Sequence, residues 1–297
     1  MDTVIEKKKE VKYDSKYHTL HALFQDYRAS HKCLASFNVN DNYDLKAVVE
    51  SADEMDTNIM VMTYPPVAEL NTPEVFYSLV EGFRKISKNS IYLHLDHSTS
   101  IDLCKRAIDS GYDSVMIDGS QSSLEDNIRM TKAVVNYAAS AKVVVEAEVG
   151  KIMGRGVEVK CDDDFLASVS DVKALYEATG VDLIAVGIGT AHGFTPTEPK
   201  IHFDRLAEIA EAIPAPLVLH GGTGIPDADI QKGIRMGMSK INIGTIVHTT
   251  YMKYAKMEID KAGDAAYPPF IMEKVLPKIK HVIKDRISAV NYKQRTI

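Results

Sequence analysis

Residues 91–97 read Ile-Tyr-Leu-His-Leu-Asp-His. The run has the length and the apolar, β-rich make-up of a buried strand. It stops on an acid beside a base, Asp96 and His97. His94 shares a strand face with Asp96, because side chains alternate along a strand. Two later apolar runs stop in a similar way, one in Thr-Ala-His-Gly at 190–193 and one in Leu-His-Gly-Gly at 219–222. Three histidines at the ends of three strands suggest one site, provided the fold brings those ends together.

Working outward from 91–97, the same unit repeats on both sides. Upstream, an apolar run at 33–39 precedes Leu45, Val48, Val49 and Ala52 at helical spacing, and a run at 58–64 precedes a helix opening near Pro73. The run 91–97 is followed by a helix from about Ser100. The run 114–119 is followed by a helix for which Ser122 and Glu125 read as a capping box. Downstream come runs at 143–149, 183–189, 217–222 and 240–245, with helices expected over 171–179, 203–213, 227–236 and 248–262. A last amphipathic segment, 270–287, lies outside the alternation. Strands that are apolar on both faces, each followed by a helix, predict a parallel sheet covered by helices. Eight such units in about 230 residues predict an α/β fold closed as a (β/α)8 TIM barrel, with an extra C-terminal helical segment. Residues 1–15 read as a polar tail and 16–297 as one barrel domain. Active sites of such barrels lie at the C-terminal ends of the strands, where 91–97 and its two companions place their histidines.

The chain has 297 residues, 45% hydrophobic and 26% charged, which is ordinary globular composition. Its net charge of −6 argues against a broad nucleic-acid-binding face. No apolar run approaches the ~18 residues of a membrane span, and the opening Met-Asp-Thr-Val-Ile-Glu-Lys-Lys-Lys-Glu lacks the apolar core of a secretory signal. Cys33, Cys104 and Cys161 are far apart and form no Cys-x-x-Cys pair, which fits reduced thiols in a cytoplasmic protein.

His97, His192 and His220 end strands three, six and seven. Any one of them alone reads as a hydrogen-bonded loop histidine. Together they suit a divalent metal held by three neutral nitrogens with a coordination position left open, as in catalytic zinc sites. Asp96 is then placed to move a proton beside the metal, or to orient a histidine. The Gly-rich turns at 220–224 and 242–245 follow strands seven and eight, where barrels often bind phosphate; their backbone N–H groups, with Thr223 and Thr245, suit an anion. Glu146 and Glu148 share a face of strand five and Asp118 ends strand four; these acids hold a cation or only hydrogen-bond. The segment 150–168, with Gly150, Gly154 and Gly156, reads as a loop over the mouth that brings in an acid such as Glu158, or as a passive surface loop.

With these residues together, the sequence resembles the class II, metal-dependent ketose-bisphosphate aldolases, which act on fructose or tagatose bisphosphates. The motifs are LHLDH (93–97), SVMIDGS (114–120), EAEVG (146–150), TGVDLIAVGIGTAHG (179–193), LHGGTGIP (219–226) and KINIGT (240–245). The resemblance implies that His97, His192 and His220 are zinc ligands for one catalytic ion per subunit, and that Asp96 is the proton-transferring acid. It implies that Gly193, Gly221, Gly222, Thr223, Asn242, Ile243, Gly244 and Thr245 contact dihydroxyacetone phosphate. Asp118 and Glu148 match a secondary position for a second divalent or a monovalent cation. It also implies a phosphorylated-sugar substrate, a homodimer or homotetramer, and a loop base, which Glu158 supplies only if two residues are inserted.

The chain departs from the family pattern in places. At the end of strand two, Met62 and Tyr64 stand where members often carry Gln-x-Ser. Thr195-Pro196-Thr197 follows the second zinc histidine in place of a Tyr-Lys-Gly run, and an ungapped match puts Gly156 at the loop base. These changes are expected to touch the substrate pocket and alter the preferred sugar. Rival readings are a Schiff-base aldolase, for which Lys240 is expected at the wrong end of strand eight; a non-catalytic sugar-phosphate-binding barrel; and a metal-dependent epimerase.

Overall fold

The computed structural model describes residues 16–152, 165–191, 193 and 200–291. Eight strands form a closed barrel in sequence order: β1 (Leu34–Asn38), β2 (Ile59–Thr63), β3 (Ile91–Ser98), β4 (Ser114–Ile117), β5 (Val144–Val149), β6 (Leu183–Val186), β7 (Leu217–Leu219) and β8 (Met238–Ile243). Neighbours pair in parallel, and β1 closes on β8 with Leu34 opposite Lys240 and Ser36 opposite Asn242. The expected (β/α)8 barrel is therefore the fold.

Helices join successive strands: α2 (Asn42–Glu54), α3 (Pro65–Asn71) with α4 (Pro73–Arg84), α5 (Ile101–Ser110), α6 (Leu124–Ala141), α7 (Val169–Thr179), α8 (Phe203–Ala212) and α9 (Asp227–Arg235). After β8 come α10 (Thr245–Ala262) and the extra C-terminal helix α11 (Pro268–Val290). Local chemistry sets their ends. The Ser100 hydroxyl accepts from the N–H of Leu103, and Gly111 and Gly180 close α5 and α7 in the left-handed conformation. The cap of α6 is one residue later than expected: the Ser123 side chain accepts from the N–H of Asp126, while the N–H of Ser122 turns back to the Gly119 carbonyl. That preceding turn leaves Ser123 as the residue with extended backbone.

A helix not anticipated from the sequence, α1 (Lys16–Ser30), covers the N-terminal end of the barrel. Leu20 and Phe24 pack with residues near the starts of the strands, among them Leu34, Met60, Tyr92, Val144, Leu183 and Val218. The Arg28 guanidinium donates to the carbonyls of Ala210, Ile213 and Ala215, the first two at 2.7 and 2.8 Å. It ties the helix to the end of α8. No helix among the described residues is long and apolar enough to cross a membrane.

Strand alternation divides the barrel in two. Outward residues such as Phe37, Val61, Leu93, Leu95, Val145, Ile184 and Ile241 form the large core beneath the helices. Inward residues are mostly apolar near the strand starts, a layer that Met62 extends toward the end of β2. Above that layer they include Asn38, His94, Asp96, Ser114, Glu146, Glu148 and Asn242, all buried. The strands are thus apolar on both faces mainly in their first half. A buried polar layer is costly unless its members satisfy one another, and the bonds within it shape the site above.

Candidate active site

Asp96 and His97 are consecutive, so on a regular strand one faces the barrel and the other the helices. β3 avoids this with a bulge. Leu95 pairs with Val115 but Ser98 pairs with Ile117, so one extra residue is fitted between them. His97 takes up the extra residue in the left-handed region, at φ 50°. A histidine held there stores backbone strain. The result is that both side chains reach the mouth of the barrel.

The rings of His97 and His220 meet edge to face, with centroids 4.5 Å apart. His97 Nδ1 donates to Asp118 Oδ2 at 2.9 Å, and His220 Nε2 donates to Glu146 Oε1 at 2.7 Å. With those protons placed, His97 Nε2 and His220 Nδ1 face each other at 2.7 Å and share one proton in the metal-free site. Glu148 stands alongside, its Oε2 3.7 Å from His97 Nδ1 and from His220 Nδ1. That oxygen is buried and makes no hydrogen bond among the described residues. Two ring nitrogens that converge on one point, and a carboxylate oxygen with no described partner beside them, are a donor set that fits a divalent cation once the shared proton leaves. Ligand atoms of Asp96, His97 and His220 lie within 4.8 Å of one another, as do those of His97, Asp118 and Glu148. The two groups share His97. Its Nδ1 either donates to Asp118 or binds a cation beside it, so Asp118 is an outer partner in the first arrangement and a ligand in the second.

The electrostatics agree with that fit. Burial opposes charge on His97, but Asp96, Asp118 and Glu148 outweigh it and push the imidazole up to about 10. Burial, with Asp118 beside it, raises the Glu148 carboxyl well above the usual carboxylate range. Burial and the neighbouring His97 lower His220. Protons are drawn in where positive charge is short, and a metal ion would supply the same charge.

Asp96 is held on both sides. Its Oδ2 accepts from Asn38 Nδ2 at 2.9 Å, and its Oδ1 accepts from Asn242 Nδ2 at 2.8 Å. Burial favours the neutral acid, but His97, His220 and Lys240 outweigh it and hold Asp96 well below the usual range. Asp96 is therefore held ionised and fixed in orientation at the cleft. Asn38 was not singled out from the sequence. The available signal was an amide side chain at the C-terminal end of an otherwise apolar strand.

The cleft above these groups is lined by Asn38, Asp96, His97, Gly193, Gly221, Thr223, Asn242, Gly244 and Thr245. Gly244 is the N-cap of α10 and offers no side chain to cap it, so the helix opens at the cleft and suits an anion. Gly221 has φ 75°, and a Cβ there would lie 2.3 Å from the Ala191 carbonyl oxygen. A Cβ on Gly244 would lie 2.6 Å from Asn38 Oδ1. Two expected phosphate contacts are otherwise engaged. The N–H of Gly222 donates to the Asn242 carbonyl at 2.9 Å, and the Ile243 side chain is in the outer core.

Other expectations fall elsewhere. His192, Gly154, Gly156, Glu158 and Thr195-Pro196-Thr197 lie outside the described residues. Met62 is buried in the inner apolar cluster, and neither it nor Tyr64 lines the cleft; the strand-two departure alters the core and not the described pocket wall. β8 begins at Met238, so Lys240 is within the strand and not at its start. Its side chain is buried in the barrel, with Nζ 2.7 Å from Glu146 Oε2. Among the described residues Lys240 does not line the cleft; its ammonium is engaged by Glu146 beneath it.

The model of the class II fructose-bisphosphate aldolase family matches residues 18–295. The structure is similar to that of the YdjI aldolase from Escherichia coli K12, with a TM-score of 0.80 and 26% identity over 94% of this chain and 98% of that one. A candidate fructose-1,6-bisphosphate aldolase from Coccidioides immitis gives a TM-score of 0.80 and 25% identity over 91% and 96%. The fructose-bisphosphate aldolase of Campylobacter jejuni shares the fold, with a TM-score of 0.77 and 19% identity over 93% and 95%. Motifs, barrel and family match agree: this chain belongs to the class II fructose-bisphosphate aldolase family.

Proposed function

We propose that the protein catalyses zinc-dependent, reversible aldol cleavage of a ketose bisphosphate, such as fructose or tagatose 1,6-bisphosphate, to dihydroxyacetone phosphate and glyceraldehyde 3-phosphate. Family membership supports aldol cleavage of a ketose phosphate. The observation that carries the metal is the 2.7 Å approach of His97 Nε2 and His220 Nδ1 beside the orphaned Glu148 Oε2.

In this reading His97, His192 and His220 hold the ion, and Asp118 with Glu148 forms the secondary cation position. When bound, the ion supplies Lewis-acid stabilisation of the negative charge that develops on the ketose oxygens. Asp96, ionised and pinned by Asn38 and Asn242, takes the proton from the hydroxyl next to the breaking bond during cleavage. It returns that proton to the aldehyde oxygen during condensation. Gly193, Gly221, Thr223, Gly244 and Thr245, with the start of α10, hold the phosphate. That anchor fixes the triose against the ion, and positioning of this kind is a large part of catalytic power. Glu158 is the proposed loop base.

The test is release of dihydroxyacetone phosphate from fructose and tagatose bisphosphates and from the corresponding 1-phosphates, with and without EDTA. Turnover on at least one bisphosphate, abolished by EDTA and restored by Zn²⁺, is the expected result. Turnover that survives removal of the metal would overturn the mechanism.

A further inference from the structure

Beneath the two histidines lies a chain of buried polar side chains that the proposed chemistry does not use. Glu146 Oε1 accepts from His220 Nε2 at 2.7 Å, and Glu146 Oε2 accepts from Lys240 Nζ at 2.7 Å. Lys240 Nζ also donates to His94 Nε2 at 3.4 Å, and His94 Nδ1 donates to Ser114 Oγ at 2.9 Å. Glu146, Lys240, His94 and His220 are all 0% exposed. They come from β5, β8 and β3 and from the residue following β7, so the chain crosses the barrel interior.

A buried ion pair is a poor source of stability, because desolvation offsets most of its attraction. Four fully buried side chains joined in one such network call for another role. Imidazole offers one nitrogen as donor and one as acceptor, and the partner of the first decides which one remains for a metal. Here Glu146 Oε1 at 2.7 Å outcompetes the Asn242 amide nitrogen at 3.2 Å, so the carboxylate takes the Nε2 proton and Nδ1 is the nitrogen facing His97.

We propose that Glu146, anchored by Lys240, is a positioning residue. It fixes the His220 tautomer with the proton on Nε2 and so reserves Nδ1 for a divalent cation. Lys240 holds the far oxygen of the same carboxylate and stops it from rotating away, and His94 with Ser114 holds Lys240 in turn. This role rests on the metal reading given above.

The pair can be replaced in two ways. Glu146→Met/Lys240→Met removes both charges and the acceptor. Glu146→Gln/Lys240→Met removes both charges but keeps an amide oxygen where Glu146 Oε1 accepts. Zn²⁺ affinity is measured by competition with a chelating dye, and thermal unfolding is followed on the metal-free proteins. The Met/Met variant should bind Zn²⁺ about 10–100-fold more weakly, as loss of an outer partner does elsewhere. The Gln/Met variant should recover to within about 3-fold of the parent, because tautomer control and not charge is what matters. A merely structural pair predicts no such rescue.

Nitrogen-15 NMR of the histidine side chains in the unaltered, metal-free protein tests the tautomer without any variant, and keeps the proposal refutable even if Met/Met fails to fold. The His220 proton should be found on Nε2. A proton on Nδ1 with none on Nε2, Zn²⁺ affinity in Met/Met equal to the parent's, no recovery in Gln/Met, or no Zn²⁺ binding by the parent would each overturn the proposal. Zn²⁺ affinity that responds as described in a protein that cleaves no ketose phosphate would remove the proposed function and leave the positioning role standing.

Discussion

Asn38→Ala removes one of the two amides that pin Asp96. The bond it deletes spans 2.9 Å in a buried site and ends on a carboxylate. Hydrogen bonds to charged groups contribute about 1.5–3 kcal/mol, and 1.36 kcal/mol corresponds to about one pKa unit. The lost donor favoured the ionised form, so the Asp96 pKa should rise by about 1–2 units. The sign matters for activity. Asp96 starts well below the usual carboxylate range, so it stays ionised near neutral pH even after the rise. The acid limb of kcat/KM for cleavage should therefore move to higher pH by about 1–2 units. At neutral pH the loss should be smaller, about 10-fold, and come from a carboxylate free to swing on its remaining bond to Asn242. Asn38→Asp should move the limb further, because two carboxylates at this distance share one proton. The assay is initial-rate release of dihydroxyacetone phosphate in quenched samples across pH, with bound metal quantified at each point so that its loss is not read as titration. An unmoved limb and an unchanged kcat/KM in Asn38→Ala, with metal retained, would refute the role given to this pair.

His220→Ala should lose bound metal and activity together; activity lost with full metal retained would count against His220 as a ligand. Gly221→Ala places a Cβ 2.3 Å from the Ala191 carbonyl at a φ of 75°. The left-handed backbone alone costs a non-glycine residue about 1–2 kcal/mol, and a shift of about 1 Å in the anion cradle should lower kcat/KM about 100-fold in a protein that still folds by circular dichroism. Ser123→Ala should cost about 1 kcal/mol and lower Tm by about 2 °C, whereas Ser122→Ala should leave Tm unchanged, since the Ser123 hydroxyl caps α6.

Much of the barrel was legible because its signals are local. A short apolar run, a helix of period 3.6 and a stop between them repeat eight times, and each can be read within a dozen residues. The strand ends were legible for the same reason, since His97, His220 and Asp96 each sit where an apolar run stops. Helix α1 was left unread although Leu20 and Phe24 stand four apart; what gives that stripe its meaning is the open end of the barrel, built from residues up to two hundred positions away. Met62 shows the opposite error. It is at a strand end in sequence, yet it points into the apolar interior.

The sequence by itself determined the repeating unit, the closed parallel barrel, and which strand ends carry acid, base and glycine. It could not determine that adjacent Asp96 and His97 share one mouth. Period two forbids that, and only the bulge with His97 at φ 50° permits it. Nor could it join Asn38 to Asp96, or Lys240 to Glu146. Those pairs meet across the barrel interior, 58 and 94 positions apart in the chain, and the tilt and stagger of the strands set which inward side chains lie level. The chemical groups were therefore readable from local pattern, while their partners, tautomers and charges were decided by the closed sheet.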